Sequence, residues 1–168
     1  MKFIVALGAA AIAAASPVLA QDAAEPASVS AAETVTLPIN TLVQVTPASE
    51  ITSKKMKEGT TREFLVVNDV EYKGVVVIPR GSPVEAEVTW RTGKGIVGKS
   101  AKFELSFNWV RVNQASYKLR GVHRQEGRGN TAGALLGSAI ITGKSATMAP
   151  GQIVNVFTAD PIMVTKYR

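Results

Sequence analysis

The amino-acid sequence predicts an all-β fold, a small β-barrel or sandwich of about 7–9 short strands with a Gly-rich apolar insert before the last of them. Three observations predict it. Apolar and polar residues alternate over 84–90, 103–112 and 117–122, the period of a strand with one face on a core and the other in water. Shorter runs rich in Val, Ile, Leu and Phe stand at 42–45, 64–67, 74–78, 153–157 and 162–164. Gly, Pro and Asn punctuate the intervals.

Residues 1–20 read as a secretory signal peptide. Met1 and Lys2 make a basic start, an uncharged apolar run extends from Phe3 to Ala15, and Val18 and Ala20 supply small residues at the cleavage site. The apolar run is shorter than the roughly 20 residues of a relaxed membrane span. Cleavage after Ala20 places the mature protein in the periplasm or outside the cell. The sequence contains no cysteine. That excludes a lipid-anchored protein and any disulfide, so the fold must be held by its core. A mature chain of about 150 residues is long enough for one such core. Residues 21–34 are rich in Ala, Ser, Glu and Pro without periodicity and read as a flexible tether. Residues 35–168 read as a single β-barrel domain.

The turns are legible too. Residues 37–45, 78–86 and 148–156 share one unit: a Pro-containing turn, then Asn or Gly, then an alternating strand. Proline fixes φ near −65°, and Asn or Gly tolerates positive φ, so the unit is a strand-entry turn used three times. Residues 92–99 form the tip of a hairpin, and residues 113–116 link the next pair of strands.

The net charge is +6. Basic residues cluster at Lys54, Lys55 and Lys57, at Arg91, Lys94 and Lys99, and at Arg120, Arg124 and Arg128, with acidic residues interspersed. This reads as a solvated surface, with Lys94 and Lys99 as a contact for anionic envelope surfaces. Residues 93–100 also spell a nucleotide-phosphate loop and, in part, a dinucleotide loop. Such loops need a helix N-terminus aimed at the phosphate. Strand periodicity follows Ser100 instead, so no nucleotide is expected. His123 is the only histidine and reads as a surface residue, without the companion ligands a metal site needs. Trp90, Phe103, Phe107 and Trp109 stand on neighbouring strands; Phe103, Phe107 and Trp109 share a parity and read as core.

Residues 131–143 carry no charge, and Gly133 and Gly137 are spaced to allow close helix contact. The segment caps the barrel, touches a membrane or packs on another subunit. Gly133, Leu135, Leu136, Gly137, Ile140 and Ile141 are its candidate membrane or partner contacts. Residues 124–130 ahead of it read as a polar hinge.

Taken together, residues 51–59, 64–70 and 74–82, the hairpin at 93–98, the strand at 103–112 and the insert at 133–143 resemble the C-terminal β-barrel domain of the core-scaffold protein of type IV secretion (conjugation) machines. They also resemble standalone exported proteins with that barrel. The resemblance covers about residues 37–164. It implies a barrel fold and, in the scaffold family, an insert that reaches the outer membrane in an oligomeric ring; it implies no catalytic residue.

The expected function is therefore that of a non-enzymatic envelope module acting by binding or assembly. Its partners would be a protein, a second copy of itself, or an outer-membrane or anionic envelope surface. No cofactor, metal, nucleotide or nucleic acid is expected. The alternative is a small envelope ligand-binding protein or hydrolase, which requires Asp69 or Asp160 to stand beside His123 in a cleft. Changing Leu135 and Leu136 together to Ser is expected to alter membrane association or oligomeric state, read by fractionation and sizing. If both stay unchanged, the insert is no contact surface.

Overall fold

The computed structural model describes residues 33–95, 99–127 and 143–166. Among them the fold is all-β, as expected. The remaining residues, which include the expected signal peptide, most of the expected tether and the contact residues assigned to the insert, lie outside the described residues.

Seven strands form the main sheet, and three two-stranded pairs lie beside it among the described residues. β1 (Glu33–Leu37) leads into β2 (Leu42–Pro47), and β3 (Ile51–Thr52) precedes β4 (Thr61–Val66). β5 (Val70–Tyr72) and β6 (Val75–Ile78) make a small hairpin before the long strands β7 (Pro83–Thr92) and β8 (Lys102–Val112). β9 (Ala115–Arg120), β10 (Val122–Glu126), β11 (Thr147–Met148), β12 (Val154–Thr158) and β13 (Ile162–Lys166) complete the order. These ranges outnumber the expected strands because β3, β5 and β11 are too short to display a period of two.

Every pairing in the main sheet is antiparallel, and the order β8–β7–β4–β2–β12–β9 returns to β8, closing a ring. β8 makes closure feasible by changing partner along one edge. Its C-terminal half pairs with β9 through Trp109↔Lys118 and Val112↔Ala115, and its N-terminal half pairs with β10 through Val122↔Ser106 and Glu126↔Lys102. The single alternating run expected over 117–122 is thus two strands, broken at Gly121, whose carbonyl accepts from the Phe107 N–H at 2.9 Å. A Cβ at Gly121 would stand 3.0 Å from Val156 Cγ1, so this close approach to β12 suits glycine. The hinge expected at 124–130 is corrected over its first part: Arg124 to Glu126 belong to β10. The tether also ends earlier than expected, because Glu33 and Thr34 already pair with Lys166 and Thr165.

The strand-entry units are turns of one kind. Asn40, Gly81 and Gly151 hold φ of 65°, 80° and 93° at the fourth position of each. In the second, Ser82 donates both its N–H and its hydroxyl to the Pro79 carbonyl, at 3.1 and 2.7 Å. The link after β8 is tighter than expected: Val112 pairs with Ala115, leaving Asn113 and Gln114, at φ 47° and 70°, as a two-residue turn of the sort that matches strand twist.

The interior is filled. Val43, Val45, Phe64, Val66, Val84, Ala86, Val88, Leu105, Phe103 and Phe107 are buried in one cluster, with Phe64 and Phe107 meeting edge to face at 4.9 Å. Small barrels close around side chains in this way. Val35, Leu37, Val77, Ile78 and Ile162 extend the same cluster under the β1–β13 ribbon and the β5–β6 hairpin. Ile51, Met56, Ala146 and Met148 extend it under β3 and β11.

Closure rests on a short seam. β12 and β9 pair only at Phe157↔Arg120 and Thr158↔Leu119, continued by Ala159 N–H to the Lys118 carbonyl at 2.9 Å. Thr158 is fully buried there and fully bonded. Its Oγ1 accepts from the Thr41 N–H at 3.0 Å and donates to the Pro38 carbonyl at 2.9 Å, while its backbone exchanges bonds with Thr41 and Asn40. Replacing Thr158 by the isosteric Val strands the Thr41 N–H and is expected to cost about 1–3 kcal/mol. Equilibrium denaturation in urea would show this as a lower midpoint with unchanged slope; a midpoint equal to wild type would remove the Thr158 hydroxyl bonds from the account.

Candidate functional site

The nucleotide-loop motif at 93–100 runs into a strand. β8 begins at Lys102, so no helix N-terminus follows Ser100, as the periodicity expected. The described ends of the motif, residues 93–95 and 99–100, stand between β7 and β8. Gly95 N–H donates to the Lys99 carbonyl at 2.8 Å, and Ala101 N–H donates to the Lys144 carbonyl at 3.0 Å. Lys94 and Lys99 are exposed, in keeping with a charged surface tip. The structure brings exposed Lys144 to the same place, because Gly143 N–H bonds the Gly95 carbonyl at 3.3 Å. Sequence reading missed Lys144, since its proximity is set by long-range pairing rather than by spacing.

Gly133, Leu135, Leu136, Gly137, Ile140 and Ile141 lie outside the described residues. Among the described residues no helix is long and apolar enough to cross a membrane, and no group of three or more metal-ligating side chains comes together.

His123 departs from the surface position expected for it. It lies half-buried on β10, where the strand turns His123 and Gln125 inward. A ring nitrogen of His123 stands 3.2 Å from Gln125 Oε1, which also accepts from Gln152 Nε2 at 2.7 Å. No ion pair joins His123 to a carboxylate among the described residues. Asp69 is engaged elsewhere, accepting from the Arg80 N–H at 2.6 Å. On the opposite face of β10, Lys102 Nζ lies 2.6 Å from Glu126 Oε1, and that hydrogen bond holds the Glu126 carboxyl below the usual glutamate range. The pair therefore acts at neutral pH and fades as pH falls through the lowered value.

The aromatic residues divide differently from the expected single core face. Phe103 and Phe107 are buried, but Trp109 is 39% exposed. The cause is a bulge. Ala86 pairs with Phe107 and Glu85 with Trp109, so Asn108 is an extra residue in β8 and inverts the alternation beyond it. Val110 and Val112 then face inward, and Trp109 and Arg111 face out. A second irregularity leaves Thr89 extra in β7, and Trp90 beyond it packs its ring against the Arg124 guanidinium at 4.5 Å.

Trp109 stands in a groove of about 460 Å³ on the outer face of the barrel. The register aligns one row of side chains across four strands: Glu63 on β4, Glu85 on β7, Trp109 on β8 and Lys118 on β9. Lys118 Nζ lies 5.7 Å from the Trp109 ring centre. Thr61, Arg62, Arg111 and Ser116 complete the polar part of the groove. Glu63 and Glu85 face each other directly across the β4–β7 pair and form no ion pair among the described residues. Like charges so placed destabilise a sheet. The arrangement can hold a ligand against an aromatic face with carboxylate acceptors and guanidinium donors beside it. The chain matches no protein-family model and no curated protein.

Proposed function

We propose that this protein is an exported, non-enzymatic β-barrel module of the cell envelope that acts by binding or assembly through its outer surface. The filled interior carries this reading. Phe64, Phe103, Phe107 and Leu105 occupy the centre of the ring, so a partner or ligand meets the barrel from outside. The outer face offers a specific place for it, the groove at Trp109, whose volume falls in the range of small-ligand sites. The exposed lysines at the β7–β8 tip supply a second contact, suited to anionic envelope surfaces. The resemblance of the sequence to the secretion-scaffold barrel and to exported standalone barrels agrees with an envelope role.

Produced with its own N-terminus in a Gram-negative host, the protein is expected in the periplasmic or envelope fraction, beginning at Gln21. In a Trp90→Phe background, where Trp109 is the sole tryptophan, isolated cell envelopes are expected to shield Trp109 from acrylamide quenching. Full-length protein in the cytoplasm, or quenching unchanged by envelopes, would contradict the proposal.

A further inference from the structure

We propose that the groove at Trp109 is a saccharide-binding site for a neutral glycan chain. This rests on the outer-surface reading above and assigns it a ligand class.

Mixed charge is the first observation. The groove is lined by two arginines, Arg62 and Arg111, and two glutamates, Glu63 and Glu85, and Lys118 ends the same row beside Trp109, so both signs of charge flank the indole. A cation stacked on Trp109 meets the two guanidinium groups, and an anion meets the two carboxylates. A neutral polyhydroxylated ring uses both, because its hydroxyls donate to carboxylates and accept from guanidinium groups.

The aromatic geometry is the second. Trp109 is turned outward by the Asn108 bulge and remains 39% exposed in the middle of the sheet, among polar side chains. Bulges commonly re-aim a side chain next to a functional site. An indole held in a sheet offers a flat apolar face to the C–H face of a pyranose, with little conformational entropy to lose. Its register neighbour Glu85 stands beside that face, and Glu63 stands one strand further along the same row.

The third is the cost left in place. Glu63 opposes Glu85 without a compensating ion pair among the described residues, and both are exposed. Two free carboxylates in one row can accept from adjacent hydroxyls of one ring or from successive rings of a chain. The groove is open along the sheet surface, which suits a stretch within a polymer better than a small molecule enclosed on all sides.

The test is calorimetric titration of the mature chain with β-1,4-linked N-acetylglucosamine tetramer and with cellotetraose, in parallel with tetralysine and a sulfated heparin tetrasaccharide. At least one neutral tetramer is expected to bind, with affinity unchanged between low and high salt. Trp109→Ala is expected to weaken that binding about tenfold, Trp109→Phe less, and Glu85→Gln measurably, all with the fold retained and with Glu85→Gln no less stable to heat than wild type. Trp109-dependent, salt-sensitive binding of tetralysine or the sulfated glycan, with both neutral tetramers inert, overturns the glycan assignment and leaves the groove as a ligand surface. Absence of Trp109-dependent binding to all four probes overturns the assignment and removes the groove from the proposed function as well.

Discussion

The partner exchange along β8 is the constraint on which the rest of this structure depends. A strand edge can satisfy each backbone group once, and β8 divides that edge between β9 and β10. The division bends the chain at Gly121 and delivers the end of β9 to β12, where two residue pairs and the Ala159 N–H to the Lys118 carbonyl close the ring. Without that bend, β9 and β10 would be one strand lying along the whole of β8, and β12 would keep an open edge. Open edges of this length invite pairing with other chains. Closure removes most of the exposed edge and encloses the apolar cluster that replaces disulfides in a cysteine-free chain.

Closure has a second consequence. The ring is narrow, and its aromatic and aliphatic side chains fill it, which leaves recognition to the outside. What the outside displays is set by the bulges. Asn108 shifts the register of β8 by one residue, so the same strand sends Phe103 and Phe107 inward and Trp109 outward. The groove therefore follows from how the long hairpin is built. One extra residue supplies its aromatic, and the antiparallel register supplies Glu85 from β7 and Glu63 from β4.

Much of the fold was legible in the sequence because the long strands are half-buried and alternate cleanly. Residues 84–90 and 103–112 announce β7 and β8, and the Asn and Gly positions at 40, 81 and 151 announce turns that do hold positive φ. What escaped has physical causes. β10 places His123 and Gln125 on its inner side, so it lacks the apolar period that marks a strand. β1 carries Val35 and Leu37 into the core, yet its first residues look like the polar stretch before them. Parity predicted Trp109 to be buried with Phe103 and Phe107, and only the pairing with β7 reveals the bulge that reverses it. The groove was illegible for a related reason: Glu63, Glu85, Trp109 and Arg111 lie on three strands, and no spacing in the chain signals their juxtaposition. The letters of the phosphate loop were the opposite case, a strong local pattern whose surroundings are extended chain.

Amide hydrogen exchange followed by NMR tests the closed ring most directly. If β12 and β9 truly seal it, the Ala159 amide, bonded to the Lys118 carbonyl of β9, should exchange only with global unfolding, at the rate of the Phe107 amide that bonds Gly121. Exchange of the Ala159 amide orders of magnitude faster than that of Phe107 would mean an open sheet with a mobile edge, and the account of a filled barrel that binds from outside would fail.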